Sequence, residues 1–568
     1  MCEEGNIGFF MLQKIKIILS KKIKKGWSKW QAYIVNLQRR VQMASLYKQA
    51  QPVQATEGPV LFWVPGGYTL LLQVETALAA ALRLRGVQSH AILCDGVYRA
   101  CIKREVTDRI PVARWQETCK QCKIEASTVL ENMGIPYSFI GDYVSETTRD
   151  ELWQKTAPIK WEALSDLHYN KVNIGKNIQS AIVRHLTGEA LEGHEEIIRE
   201  YAYSAFVSAE ASARAFEKIS PSRIIMTHGV YAEWGPALQI ALLREIPVTG
   251  WSKSYLKARF FFRHHQDPAR LGTHILSKTA WETCKASPLN SEQNVRLDRY
   301  LTNRYHKRIA FNLHELKPYL GDIEGLRQKY IADPSKPVWG VMCHINWDSV
   351  KDSAPMAFES FNDWTLFTVN EILNLPNVNW LIKIHPTENR DMRMLGAQRL
   401  LDDYYPILPP HVKIIKADEE ISPLEFFQLV DGAITVYGTS GLELALLGKP
   451  VILAGEAHYG GKGFTYDGWR PETYRDYLQK AATLPPLTED QRNLARQYAY
   501  NYFIQRQIPL EVVNDPSASF WKFLYEQREL LLPGRDPFVD FICEHTLSGK
   551  DFVMNEELVA LSLGEEPF

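Results

Sequence analysis

The sequence lacks several features that would assign a functional class at once. No apolar run approaches the ~18 residues that a membrane-spanning helix needs. A net charge of -1 gives no overall attraction to nucleic acid, so no nucleic-acid partner is expected. Eight cysteines in 568 residues are too sparse for a disulfide framework, and lysines interrupt the early apolar residues too soon for a signal peptide. We therefore expect a cytoplasmic protein, and its length predicts two main domains.

Acidic residues are also missing from positions 5–56, whereas ten basic residues lie there. Isoleucine and tryptophan side chains alternate with these charges, as in Ile15, Ile17, Ile23, Trp27 and Trp30. Such a segment suits an amphipathic helix on an anionic membrane surface. It equally suits a solvated basic arm, and both interpretations stay open.

Two strand–helix–strand units are predicted in the first half of the chain. The first has strands at 60–64 and 89–93 around a helix at 70–85, and the second begins with the strand at 223–227. A further α/β unit begins near Pro337. The predicted domains are a basic amphipathic arm (1–50), an N-terminal α/β domain (51–300), a connection (301–335), a C-terminal α/β domain (336–515) and a helical tail (516–568).

Polar residues follow two apolar strands in the C-terminal domain. Lys383-Ile384-His385-Pro386 ends the first strand, and Thr439-Ser440-Gly441 follows the second and opens a helix. Ligands of open α/β sheets bind at the carboxyl ends of strands, and the N-terminus of a helix favours an anion. The pattern predicts a nucleotide-sugar site. Ser440 followed by Glu443 also fits a capping box that needs no ligand.

These motifs, together with Gly448-Lys449-Pro450-Val451 and the loop Tyr459-Gly460-Gly461-Lys462-Gly463, resemble the bacterial capsule polysaccharide biosynthesis family, which includes Kdo transferases. The resemblance implies a GT-B architecture: two Rossmann-like α/β domains facing a cleft, with an acceptor domain first and a donor domain second. It also implies that His385, Thr439 and Ser440 contact the nucleotide phosphate, and that Glu443 holds the ribose or base. The Kdo enzymes usually carry a Gly-Trp-Gly type loop where this chain has Tyr-Gly-Gly-Lys-Gly.

The donor site is expected to include several neighbours of these residues. The full predicted set is Lys383, His385, Pro386, Thr439, Ser440, Gly441, Glu443, His458, Tyr459 and Lys462. A protonated His385 would offset charge on the leaving group. Acceptor activation needs a general base, for which Asp95, His228 and Glu233 are the candidates. No Asp-x-Asp signature stands out near the donor site, so catalysis without a metal cofactor is expected.

Four cysteines, Cys94, Cys101, Cys119 and Cys122, fall within one short window. The Cys-x2-Cys pair has a spacing typical of metal ligands, and four thiolates suit structural zinc or an iron–sulfur cluster. Four unrelated thiols, some of them in the core, are the alternative.

The sequence thus predicts a glycosyltransferase that transfers a nucleotide-activated, CMP-linked and Kdo-like sugar to a glycan or glycolipid acceptor at the inner membrane face. A glycerophosphate-type phosphotransferase or a nucleotide-sugar epimerase would use the same nucleotide site. A non-catalytic scaffold of polysaccharide assembly or export would bind no nucleotide at all.

Overall fold

The computed structural model describes residues 30–50, 57–106, 114–169, 171–187, 193–267, 272–306, 317–347, 351, 354–390, 396–513 and 524–563. Most of the predicted basic arm lies outside these ranges. Within them, residues 30–48 form helix α1. It packs on the following domain through Met43, which is fully buried, and through Tyr47, whose hydroxyl donates to the carbonyl of Met133.

The N-terminal domain is built on a seven-stranded sheet. Six of its strands come before residue 300: β1 Val60–Val64, β2 Ser89–Leu93, β3 Tyr137–Phe139, β6 Arg223–Thr227, β7 Val248–Lys253 and β8 Arg259–His265. Strands β4 His168–Tyr169 and β5 Val172–Asn173 form a separate small hairpin. The helices are α2 Thr69–Leu84, α3 Ile102–Val106, α4 Trp115–Asn132, α5 Glu146–Thr156, α6 Gly175–His185, α7 Glu195–Ile219, α8 Tyr231–Leu243, α9 Lys278–Lys285 and α10 Ser291–His306. The central strands are parallel and fully buried, because helices cover both faces of the sheet.

The C-terminal domain has a six-stranded, wholly parallel sheet. Its strands are β9 Val338–Met342, β10 Asn379–Lys383, β11 Val412–Ile415, β12 Gly432–Thr435, β13 Val451–Leu453 and β14 Tyr466–Asp467. Its helices are α11 Ile323–Tyr330, α12 Phe361–Ile372, α13 Ala397–Tyr404, α14 Pro423–Leu429, α15 Thr439–Leu446, α16 Pro471–Gln479 and α17 Glu489–Tyr500. The order β11-β10-β9-β12-β13-β14 is the doubly wound order of nucleotide-binding sheets, with its reversal point between β9 and β12. Two Rossmann-like α/β domains are therefore confirmed.

The end of the chain returns to the first domain. Strand β15, Ile508–Pro509, pairs antiparallel with β8 and completes the N-terminal sheet. Helices α18 (Pro537–Ser548) and α19 (Glu556–Leu563) follow, and Arg85 of the N-terminal domain binds both the carbonyl of Leu531 and the carboxylate of Asp540. The sequence predicts a C-terminal domain that extends to residue 515, but residues 508–509 belong to the edge of the N-terminal sheet. The pattern of one strand does not reveal which sheet it joins.

Candidate nucleotide site at the carboxyl edge of the second sheet

The crevice at the reversal point of the C-terminal sheet lies between the loops that follow β9 and β12. His344 follows β9, and residues 436–438 follow β12. His385 follows β10, which is the other neighbour of β9. Because parallel strands end at the same edge, the fold brings these three loops together, as the motifs predicted for two of them.

His344 shapes the loop after β12. Its Nε2 faces the amide nitrogens of Val436 and Tyr437, at 3.0 and 3.2 Å, and the Thr435 hydroxyl, at 2.9 Å. The ring stacks on Phe361 with centroids 4.7 Å apart. Since Nε2 accepts these bonds, the ring proton belongs on Nδ1. Burial, and then the nearby His385, lower the pKa of His344 to about 3, so the ring is neutral. Sequence reasoning missed this residue, although it stands two positions after β9 as His385 does after β10.

Helix α15 begins without a side-chain cap. Its N-cap residue is Gly438, and no side chain bonds the first turn, so the capping box suggested by Ser440 and Glu443 is not formed. The Thr439 hydroxyl lies 2.8 Å from that of Tyr255, which belongs to the turn between β7 and β8 of the other domain. Among the described residues the Ser440 side chain forms no hydrogen bond. Uncapped amides and a hydroxyl at a helix start are suited to a phosphate.

His385 is neutral and accepts one backbone hydrogen bond in this structure. Its Nδ1 accepts from the amide of Thr387 at 3.2 Å, which leaves the proton on Nε2. Burial, and then the charge of Lys383, lower the pKa of His385 to about 4. A protonated His385 is therefore not favoured in the unliganded protein, and its role at the leaving group stays a prediction. The neutral ring can still donate its Nε2–H to a phosphate oxygen.

Lys383 lies directly beneath this loop as the last residue of β10. It is 8% exposed, and its ammonium lies 5.6 Å from the centre of the Phe426 ring. Burial lowers the pKa of Lys383 to about 8. At pH 7 the side chain is therefore still charged in most molecules. Pro386 opens a short 3-10 turn after His385. Lys383 and His385 thus place two polar side chains at the end of β10, and Pro386 opens the turn that follows them.

Glu443 is buried and paired with two side chains. It is 5% exposed, and its two carboxylate oxygens are bound by Arg304 Nε, at 2.8 Å, and by the Tyr305 hydroxyl. Both partners belong to α10, which ends just before the second domain. This pairing gives Glu443 a structural role between the domains, and its role at the ribose or base stays a prediction.

The glycine-rich loop places its three predicted residues differently. Tyr459 is fully buried, and its hydroxyl donates to the carbonyl of Gly438 at 2.6 Å, so it supports the start of α15. A Cβ on Gly441 would overlap that hydroxyl, so residue 441 must be glycine beside Tyr459. His458 stacks on Tyr502 at 4.2 Å, and the Lys462 ammonium lies 5.3 Å from the Trp281 ring centre. Of the three residues, Tyr459 contacts the turn that precedes α15.

The proposed general bases lie at the carboxyl edge of the N-terminal sheet. Asp95 Oδ1 accepts from the Gly141 amide at 3.2 Å, and His228 Nδ1 accepts from the Val230 amide at 3.2 Å. Glu233 is 1% exposed, accepts from the Ile102 amide, and burial raises its pKa to about 7. Tyr231 just before it has φ +67°, a strained value for an aromatic residue. The role of all three as a base stays a prediction.

Three of the four clustered cysteines accept hydrogen bonds from protein groups. The Cys122 sulfur accepts from the Gly67 amide at 3.0 Å, that of Cys94 from the Gly96 amide at 3.3 Å, and that of Cys119 from Arg104. Burial raises the pKa of Cys94 to about 12, and it also raises the pKa of Cys101. Across the described part of the chain, no three His, Cys, Asp or Glu side chains are arranged to hold a metal ion. Structural zinc or an iron–sulfur cluster has no support in this geometry and stays a prediction.

Comparison with known proteins agrees with the motifs of the second domain. Three solved structures show weak similarity to this chain. A Thermosulfurimonas dismutans KpsC, beta Kdo 2,4 transferase, is 17% identical and aligns over 49% of this chain and 79% of that one with a TM-score of 0.30. The UDP-GlcNAc 2-epimerase from Neisseria meningitidis is 12% identical over 78% and 97%, with a TM-score of 0.23. The S. aureus MnaA–UDP structure is 9% identical over 83% and 97%, with a TM-score of 0.25.

A search of curated protein sequences found no match. The sequence profile of the family described as "Capsule polysaccharide biosynthesis protein" matches residues 353–487. That stretch includes the end of β10, the loop after β12, α15 and the glycine-rich loop. The resemblance predicted from the sequence is thereby confirmed: residues 353–487 are similar to the capsule polysaccharide biosynthesis family.

Proposed function

We propose that the protein is a glycosyltransferase of capsule polysaccharide synthesis that takes a sugar from a nucleotide-activated donor, with a CMP-linked, Kdo-like sugar as the first donor to test. The observation that carries this proposal is the uncapped start of α15 at the reversal point of a doubly wound sheet. On this proposal, the amide groups there, the Ser440 hydroxyl and the Nε2–H of His385 would bind the donor phosphate.

The chemistry would depend on neutral donors and a fixed dipole. Cleavage of the sugar–phosphate bond places negative charge on the departing nucleotide. Donors that are already oriented stabilise that charge without reorganising, and the N-terminus of α15 adds the favourable end of a helix dipole. The Lys383 ammonium beneath the loop adds a positive charge. On this proposal a divalent cation is not required, and full turnover should persist in excess EDTA.

Nucleotide binding is tested first, by isothermal titration with CMP, CDP, UDP and the corresponding sugars. Ser440→Ala should weaken binding about tenfold, which equals about 1.4 kcal/mol. Thr488→Ala, which removes the N-cap of α17 instead, should leave binding unchanged. Product analysis then separates the chemistries: glycoside formation is expected. Transfer of a glycerophosphate group or epimerised donor would show the alternative enzymes, and the absence of nucleotide binding would leave the scaffold.

We also propose that α1 and the basic segment before it hold the protein on an anionic membrane surface, where a glycolipid acceptor would lie. The face of α1 directed away from the protein exposes Trp30, Tyr33, Leu37 and Val41, at 63%, 62%, 44% and 62%. Their spacing places them along one side of the helix. Among the described residues, no helix is long and apolar enough to cross a bilayer.

Liposome co-sedimentation tests this attachment. The double variant Trp30→Ser/Tyr33→Ser should bind vesicles containing anionic lipid several-fold more weakly than the unchanged protein, because apolar insertion is lost. Raising the salt concentration should weaken both, because exposed charges are screened. Ile407→Ser, which removes an 88% exposed apolar residue elsewhere, serves as the control. Equal binding to neutral and anionic vesicles would contradict the proposal.

A further inference from the structure

A cavity of about 550 Å³ opens at the carboxyl edge of the N-terminal sheet, apart from the residues assigned to the nucleotide. It lies between the loop after β2, helix α3 and the N-terminal halves of α4, α5 and α7. The side chains used below are Arg99, Arg104, Trp115, Arg149, Glu200 and Tyr203. The volume falls within the range of pockets that enclose small molecules.

Two charged side chains lining this cavity are almost completely buried, yet each has a polar atom that is not bonded. Arg104 is 4% exposed and Glu200 is 5% exposed. Among the described residues, Arg104 Nε and Glu200 Oε2 have no hydrogen-bond partner. A buried polar group without a partner is costly and therefore calls for a specific explanation. A ligand in the cavity that accepts from Arg104 and donates to Glu200 provides one.

Among the described residues that line the cavity, the charges balance. Three arginines, Arg99, Arg104 and Arg149, face three carboxylates, Glu146, Asp150 and Glu200. Arg99 Nη1 lies 3.7 Å from Glu200 Oε1, so these two opposite charges partly neutralise each other. A multiply charged anion would meet the carboxylates, and a cation would meet the arginines. The lining therefore favours an uncharged ligand with several groups that both donate and accept.

Aromatic surfaces accompany these polar groups. Trp115 and Tyr203 line the cavity, and the Arg99 guanidinium is held 3.8 Å from the ring centre of Trp153 beside it. The lining is mostly polar, and the Trp115 and Tyr203 side chains supply aromatic surface to it. Sugar hydroxyl groups both donate and accept, and a sugar ring offers an apolar C–H face to aromatic side chains.

We propose that this cavity binds a neutral, polyhydroxylated sugar ring. Its hydroxyls would accept from Arg104 Nε–H and donate to Glu200 Oε2, with the ring against the aromatic wall. Assigning that ring to the glycan acceptor rests on the proposed glycosyltransferase function, whereas the binding of a neutral sugar does not. A charged sugar acid is not the ligand that this balanced lining selects.

The test is binding of sugars to the full-length protein by saturation-transfer NMR and isothermal titration. The neutral probes are disaccharides of glucose, galactose and N-acetylglucosamine, and the charged probes are glucuronic acid and inorganic phosphate. At least one neutral disaccharide should bind, and both Glu200→Gln and Arg104→Gln should weaken it tenfold or more. Arg114→Gln, a change of an arginine whose side chain is 69% exposed at the start of α4, should leave it unchanged. Circular dichroism and thermal melting show whether each variant is folded.

Preferential binding of glucuronic acid or phosphate would overturn the ligand class, and no binding by any neutral probe would overturn the site. Binding of a neutral sugar that neither Glu200→Gln nor Arg104→Gln weakens would place it elsewhere. Ser440→Ala distinguishes the two proposals, because it should weaken nucleotide binding and leave sugar binding intact. If the sugar binds and no nucleotide does, this inference holds and the proposed function fails. If nucleotides bind and neutral sugars do not, the reverse is true.

Discussion

His344 and His385 each lie two residues after one of two neighbouring parallel strands, and both are neutral. They differ in the ring nitrogen that bonds the backbone. His344 turns an acceptor nitrogen toward the backbone of its own domain, where it meets the amides of Val436 and Tyr437. His385 binds the Thr387 amide through Nδ1 and keeps its Nε2–H free to donate. One histidine therefore shapes the site, and the other is available to a ligand.

His385→Ala should lower kcat/KM by about 30- to 1,000-fold, the effect of losing a donor to transition-state charge, about 2 to 4 kcal/mol. His385→Gln should lose less, because a side-chain N–H can still reach the phosphate. Since the pKa of His385 is about 4, its ionisation should leave the rate of the wild type unchanged between pH 5.5 and 8. Steady-state rates across that range check this. Equal losses in the two variants would contradict a donor role.

His344 should make the folded state sensitive to acid. Its pKa is about 3 when folded and 6.5 in the unfolded chain, so the unfolded chain binds more protons between these values. Its contribution is therefore complete above pH 6.5 and is lost as the pH falls toward 3, by about 1.4 kcal/mol per pH unit. His344→Gln should flatten the dependence of unfolding free energy on pH by about one proton between pH 4 and 6. Urea unfolding at several pH values measures the slope, and an unchanged slope would contradict the assignment.

Substitution of Glu443 tests whether this residue stabilises the fold or binds the nucleotide. Removing one partner of a buried ion pair costs about 3 to 5 kcal/mol, because the other charge is left unpaired. Glu443→Gln should therefore lower the unfolding free energy and leave nucleotide affinity nearly unchanged. Chemical denaturation and titration with nucleotide measure the two quantities, and Glu472→Gln on the first turn of α16 is the control. A loss of affinity with full stability would restore the ribose-binding role.

At the scale of elements, α15 and the loop that precedes it form the unit on which the site depends. Its start is held by three separate parts of the chain: His344 after β9, Tyr459 in the glycine-rich loop and Tyr255 from the other domain. The continuous apolar runs of β1 and β2 predicted their bounds, 60–64 and 89–93, correctly. The contacts around α15 could not be predicted, because they join residues that are 21 to 184 positions apart.

Gly441→Ala should displace Tyr459. The added methyl group would overlap the Tyr459 hydroxyl, and overpacking of a filled site costs about 1 to 3 kcal/mol. Nucleotide affinity should fall as well, because Tyr459 supports the start of α15. The double variant Gly441→Ala/Tyr459→Phe should recover part of the stability, since the clashing oxygen is gone. Thermal melting of the four proteins in this cycle provides the measurement, and strictly additive effects would contradict the clash.

At the scale of the whole molecule, the two domains are not consecutive pieces of chain. The second domain is inserted before β15, and the helices after it cover the first domain, with His264 of β8 reaching the carbonyls of His545 and Lys550. Local patterning predicted both α/β domains and the order in which they occur. It could not predict this return, because a two-residue edge strand carries almost no periodic signal.

A chain that ends at residue 506 should lose the edge of its first sheet. Without β15 and the helices after it, the amides of β8 should exchange with solvent at least tenfold faster, because one side of the strand is no longer paired. The amides of β9 and β10 in the other sheet should keep their protection and act as the internal control. Hydrogen exchange read by mass spectrometry measures both. Unchanged protection of β8 would show that the first sheet closes without the tail.

The late position of β15 has a consequence for synthesis. The first sheet leaves the ribosome hundreds of residues before the strand that completes it, so β8 is exposed as an unpaired edge while the entire second domain is made. Unpaired edges pair readily with other strands, and contacts between distant residues form slowly. The second domain, whose six strands are consecutive, can fold first on its own, against the usual order in which the N-terminal domain matures first. For this protein, β15 determines when the first sheet is complete.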